Sequence, residues 1–165
     1  NKHWGWLHAG PFVLTIKVLI MSITTAVCNS FKQELLGGVH DLDTDTIKVA
    51  LIKVSPTGTY NASTTNYADV TNNSDEALGV GYTAGGNTLT GATIALDSST
   101  ATVDYDNTTW SSVTVSADGC IIYNSSKSNR AIAVVSFGST KKSINGDFTV
   151  QFPTADASNA IIRIA

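Results

Sequence analysis

The stretch SSVTVSADGCIIYNSSKSNRAIAVVSFGSTKKSINGDFTVQF, Ser111 to Phe152, decides the class of fold. Val113 and Val115 alternate with Thr114 and Ser116, the two-residue period of a strand. Asp118-Gly119 offers the pair that a tight hairpin needs where the backbone takes positive φ, and Cys120 to Tyr123 reads as the returning strand. Asn124 to Arg130 is a polar loop, and Ala131 to Phe137 has the β-branched, nearly uncharged composition of a strand covered on both faces. Gly138 to Ser143 reads as a further turn. Asp147 to Phe152 follows as a strand with Phe148, Val150 and Phe152 on one face and Thr149 and Gln151 on the other. With no helical period anywhere in the stretch, it predicts an antiparallel meander or one half of a β-sandwich.

Chain length sets the scale. At 165 residues and 17.3 kDa there is material for one domain with a real core, and too little for two. Charged residues make up 14%, and Ser, Thr, Asn and Gly carry most of the polarity, a mixture suited to turn-rich β structure. A net charge of -3, with Lys and Arg dispersed, argues against the basic stripe by which a nucleic-acid binder displaces counterions. Cys28 and Cys120 are far apart, with no CxxC and no His at ligand spacing, so both are expected to be packed free thiols.

Residues 1–21 read as an apolar N-terminal arm, or as an upstream extension if translation begins at Met21. Trp4, Trp6, Phe12 and the run from Val13 to Ile20 are apolar, but Lys17 interrupts them. The segment therefore falls short of the roughly 18 uninterrupted apolar residues of a membrane span. Secretion is disfavoured, because Val27 stands where a signal-peptide cleavage site wants a small residue. An apolar arm of this kind is expected to pack on a neighbouring subunit.

Residues 22–165 are expected to form a single β-sandwich domain led by one helix over 22–38. Ser22, Thr24 or Thr25 would cap that helix, Val27, Phe31 and Leu35 would share one face, and Gly37-Gly38 would stop it. Asp41, Asp43 and Asp45 invite a calcium reading, but Thr46 replaces the loop glycine and Ile52 the bidentate Glu; an acidic turn before a strand over Thr46 to Val54 is favoured. That strand should be buried on most of both faces. Ser55 to Asn66 reads as an outward-facing polar loop, and Asn73 to Gly79 as a helical turn capped by Ser74. The glycines of Gly79 to Gly86 do not match a phosphate-binding pattern and are assigned to tight turns and close backbone approach. Thr88 to Leu96, Thr100 to Tyr105 and Ala160 to Ile164 complete the strands, with Pro153 to Asn159 as a turn.

His3, His8 and His40 lie in no nucleophile motif, and His40 beside Asp41 reads as a surface polar pair. Asp104, Asp106 and Asp147 would serve glycoside cleavage only if folding gathered them in a cleft. Asn61, Asn72, Asn107 and Asn124 begin N-x-S/T triplets that chance supplies in such a composition. Trp110, Tyr105 and Tyr123 would form a sugar-stacking platform only if exposed together; packing is the favoured role. No catalytic, cofactor-binding or metal-binding residue is assigned.

Phe31-Lys32-Gln33-Glu34-Leu35-Leu36 before the Gly38-to-Asp41 turn, Gly81 to Gly86, Ile122 to Ser126 and Gly146 to Pro153 carry a resemblance. From Met21 to Ala165 the chain resembles small virion structural proteins of tailed bacteriophages, the capsid decoration and tail-associated group. The resemblance implies a non-enzymatic, multi-copy protein located in the virion, without cofactors. Its form would be a homo-oligomer, trimer or dimer, bound to a major capsid or tail protein. A capsid-surface decoration or cement subunit comes first, a tail or head-to-tail component second. Rival classes are a carbohydrate- or host-surface-binding β-sandwich and a secreted sheath or fibre subunit.

Overall fold

The computed structural model describes residues 22–165, so the arm assigned to residues 1–21, with His3 and His8, lies outside the described residues. In chain order the elements are β1 (Ala26–Val27), α1 (Asn29–Leu36), β2 (Ile47–Ile52), α2 (Ala68–Thr71), β3 (Asn87–Thr88), β4 (Thr93–Asp97), β5 (Thr100–Asp104), β6 (Thr108–Asn124), β7 (Arg130–Val150) and β8 (Ile162–Ile164). The chain is mainly β. Its strands form two antiparallel sheets, one of five strands ordered β1-β7-β6-β2-β3 and one of three ordered β4-β5-β8.

The long hairpin β6–β7 is the spine. Its connection is the polar Asn124-to-Arg130 loop read from sequence, tightened by a 3-10 turn at Ser125–Lys127 and by Ser128 and Asn129 in the left-handed region. Register aligns Val27, Ala133, Ile122, Val49 and Asn87 in one row across all five strands of the larger sheet. Ala26, Val134, Ile121 and Ala50 form the adjacent row, whose side chains point to the opposite face. Val49, Ala50, Ile121 and Val134 are wholly inaccessible to solvent, so the centre of this sheet is covered on both sides, as the β-branched composition of β2 and β7 predicts.

Two of the expected turns are bulges inside continuous strands. Asp118-Gly119 does not reverse the chain: the pairing steps from Ala117↔Lys141 to Gly119↔Ser136, so residues 137–140 of β7 are extruded opposite Asp118 alone. The Asp118 carboxylate is held by the Ser55 amide (2.8 Å) and the Thr140 hydroxyl (2.6 Å), which fixes the chain extended there. Gly138, at φ 71°, supplies the bend of the extruded segment. A second bulge lies at Asn145, also in the left-handed region, whose amide is accepted by the Thr114 hydroxyl at 3.0 Å.

Other boundaries move as well. The helix begins at Asn29 with Cys28 at its cap, because Ala26 and Val27 pair with Val134 and Ala133 as a short edge strand. Ser22, Thr24 and Thr25 therefore cap nothing, and Val27 belongs to the sheet while Phe31 is buried from the helix. The helical turn placed at Asn73 to Gly79 is found instead at α2, with Ser74 at positive φ. The expected strand from Thr88 to Leu96 divides at Gly91 (φ 68°), where the chain passes from the larger sheet into the smaller. The Ser55-to-Asn66 loop is not wholly outward: Pro56, Tyr60 and Thr64 are buried.

Candidate functional site

The side chains with chemical potential are drawn into structural networks. His40, read as a surface partner of Asp41, is buried instead, tilted against the Phe31 ring at 5.0 Å. Its Nε2 lies 2.8 Å from Glu34 Oε2 and its Nδ1 3.0 Å from the Asn124 amide nitrogen. Since an amide nitrogen can only donate, Nδ1 is the accepting nitrogen and Nε2–H donates to Glu34. Asn124 donates also to Asp45 (2.7 Å), Lys127 sits 3.3 Å from Asp45, and Arg130 pairs with Glu34. Burial acts to raise the Glu34 carboxyl, but the bonds from His40 and Arg130 outweigh it and hold it below the usual carboxylate range. The network ties the foot of the β6–β7 hairpin to the helix and to the acidic turn.

In that turn the aspartates serve the backbone. Asp41 accepts from the amides of Asp43 and Thr44, and Asp45 accepts from the Asp41 amide at 2.9 Å. These side-chain-to-backbone bonds shape the approach to β2.

A second pair of carboxylates anchors the central loops. Asp75, fully buried, accepts from the Thr57 amide (2.9 Å), the Gly58 amide (2.7 Å), the Tyr60 hydroxyl (2.6 Å) and the Lys53 ammonium (2.8 Å). Burial alone would raise its pKa; these donors hold it far below the ordinary range. Neighbouring Glu76 accepts from Tyr82 (2.9 Å), the Gly85 amide (2.6 Å) and Tyr67, whose ring stacks on Tyr123 at 4.5 Å. The Gly79-to-Gly86 stretch is thereby pressed against the sheet. A Cβ at Gly79 would overlap the Thr114 carbonyl and one at Gly86 the Val49 carbonyl, the close approach that the glycine pattern predicted.

The remaining candidates are not brought together. Asp106 accepts from Thr90 (3.1 Å) beside the sheet-switching Gly91, whereas Asp147 accepts from the Ser112 amide (3.3 Å) on the long hairpin. Trp110, Tyr105 and Tyr123 are each buried, Trp110 between Tyr82 and Phe148 and Tyr105 hydrogen-bonded to the Leu42 carbonyl, so they present no aromatic platform. Asn124 is buried, while Asn72 and Asn107 are exposed. Cys28 and Cys120 are free and buried, their thiols pushed up to about 12 chiefly by burial, as packed thiols should be.

Two surface features stand apart from these networks. The first is a groove of about 610 Å³ whose walls are Thr25 to Val27, the β7 residues Val135, Phe137 and Phe148, and the C-terminal Phe152 and Ile161. The second is one face of the smaller sheet. Register puts Ile94, Leu96, Ala101, Val103, Ile162 and Ile164 on that face; Val103 and Ile162 are buried, but Leu96 is 73% exposed, Ile94 57% and Ile164 56%. All five residues of the edge strand β4 are exposed. No sequence period announced this face, because an alternating strand reads the same whether its apolar side meets a core or solvent. No protein-family model, curated protein or solved structure matches the chain.

Proposed function

We propose that the chain is a non-enzymatic structural subunit of a virus particle. On this reading it is a β-sandwich built from the two sheets, acting in many copies as a capsid-surface decoration or cement protein of a tailed phage. One observation carries the proposal: among the described residues, the apolar face of β4, β5 and β8 is left open at an unpaired sheet edge, a surface fitted to contact with further subunits. The consumption of His40, Asp45, Asp75 and Glu76 in structural bonds is in keeping with it, as these are the groups an active centre would need free. A decoration subunit gains from repetition, since many modest contacts sum to tight attachment without any strong single site. The same surface would serve a tail or head-to-tail component, and copy number separates the two. Quantitative mass spectrometry of purified particles is the test. Many copies per particle are expected for a decoration protein and far fewer for a head-to-tail component, while absence from particles would overturn the proposal.

A further inference from the structure

The strand β4 lies at the edge of the smaller sheet. Among the described residues it pairs only with β5, and the other side of Thr93–Asp97 meets no strand. Which backbone groups are left over follows from the turn between the two strands. Asp97 and Thr100 flank the two-residue turn Ser98-Ser99, with Ser98 in the left-handed region, so they form the hydrogen-bonded pair that closes such a hairpin. Hydrogen-bonded and non-hydrogen-bonded pairs alternate along an antiparallel ladder, so Thr93, Ala95 and Asp97 turn their N–H and C=O groups to β5. The Thr102 hydroxyl, 3.4 Å from the Ala95 carbonyl oxygen, agrees with this direction. Ile94 and Leu96 turn theirs outward.

We propose that the outer edge of β4 pairs with the same edge of a second copy of this chain, antiparallel about a two-fold axis at Ala95. This deepens, and rests on, the reading of the smaller sheet as a contact between subunits; the kind of particle does not enter. Ladder bonds form only where outward-turned residues oppose one another. Centring on Ala95 sets Ile94 against Leu96 of the second copy, and Leu96 against its Ile94, each pair exchanging both N–H···O bonds. It is also the register that engages every position of the strand, Thr93 to Asp97. Asp97 then opposes Thr93, so no like charges meet across the junction. The apolar face runs on through the axis. Register within each copy puts Ile164, Ala101 and Leu96 in line with Ile94, Val103 and Ile162 of the other, one apolar row across both sheets. Such a contact is isologous and closes at two copies.

Disulfide trapping in the full chain tests the pairing. At the axis Ala95 meets its counterpart in a non-hydrogen-bonded pair, with Cα atoms roughly 4.5 Å apart and within reach of a disulfide. Ile94 and Leu96 lie diagonally from their own counterparts, at about 7 to 8 Å. All five residues of β4 are exposed, so cysteine substitutions there spare the core, and the native Cys28 and Cys120 are buried. Under mild oxidation Ala95→Cys is expected to give covalent dimer in about tenfold excess over Ile94→Cys or Leu96→Cys, joined through residue 95 in the peptide map. Preferential joining at residue 94 or 96 would mean face-to-face contact or a shifted register. Equal yields at all three positions would mean random collision, and no dimer at any of them a free edge. Each of these overturns the proposal. Mass spectrometry of particles tells its failure from that of the particle reading. Dimers trapped through residue 95, with the chain absent from particles, uphold the pairing and remove the particle; copies in particles without trapped dimers do the reverse.

Discussion

The two sheets spend their apolar residues differently. In the larger sheet, Ile121 and Val134 face one side, Val49 and Ile122 the other, and all four are essentially inaccessible, so both faces contribute to the core. In the smaller sheet each face is covered only in part, the hydroxyl-bearing one at Thr100 and Thr102. The turn at residues 153–159 is tied to that face through Asp97 (Ala157 amide, 2.7 Å) and Arg163 (to the Ala157 carbonyl, 2.8 Å). Its isoleucine and leucine face is buried only at the Val103–Ile162 end. Burial of apolar area stabilises a fold by about 25 cal/mol per Å², a gain that this face largely forgoes. The larger sheet holds the molecule together; on the proposed function, the smaller one carries the contact surface.

If that division is right, the largest loss of stability comes from the larger sheet. Ile121→Ala empties a site with no solvent contact at the middle of the β2–β6–β7 ladder, where the surrounding strands cannot easily collapse. It should cost about 3 to 4 kcal/mol, read as a lower denaturant midpoint at constant slope. A loss below about 1 kcal/mol would mean that the larger sheet is not the stabilising half.

Next comes the loop anchor. Asp75→Asn keeps the shape but gives up the charge and the oxygen facing its donors, and should cost about 2 to 3 kcal/mol, because buried donors to a charged group lose their partner. The pH dependence follows in sign. The folded-state pKa of Asp75 is depressed, so its contribution is present above the ordinary carboxylate range and is lost as pH falls toward the folded value. Urea midpoints of the unsubstituted protein should fall below about pH 4, and those of Asp75→Asn should fall less steeply over the same range. Equal slopes would show that another carboxylate carries the acid sensitivity.

Much of the β architecture was legible in the chain, and the misreadings share a cause. The Asn124-to-Arg130 connection, the burial of β2 and β7 and the close approach at Gly79 and Gly86 each follow from local chemistry that the fold does not contradict. Asp118-Gly119 and Gly138 failed as turns because the same residues serve a bulge, and whether the chain reverses depends on distant partners, here Ser55 and Thr140. The helix start moved for the same reason: Thr25 and Val27 are adequate helical neighbours until β7 offers Val27 a strand to pair with. The burial of His40 depends on Phe31, Glu34 and Asn124, the last 84 positions away, and no spacing rule reaches that far.

The smallest effect on the fold should come from the smaller sheet, and it sharpens the contrast most. Leu96→Asp places a charge on the exposed apolar face and should move the unfolding midpoint by no more than about 0.5 kcal/mol, as expected for an exposed position. In sedimentation velocity, however, the unsubstituted chain should run as a dimer or trimer and Leu96→Asp as a monomer. Ala95→Asp, on the same strand but the opposite face, separates two ways of using the surface. If copies meet face to face through Ile94 and Leu96, Ala95→Asp keeps the assembly. If they meet by pairing β4 edges, a charge on either face of that edge dissolves it. Should Leu96→Asp leave the sedimentation unchanged, the open face of the smaller sheet is not a contact between copies, and the division of labour between the two sheets fails.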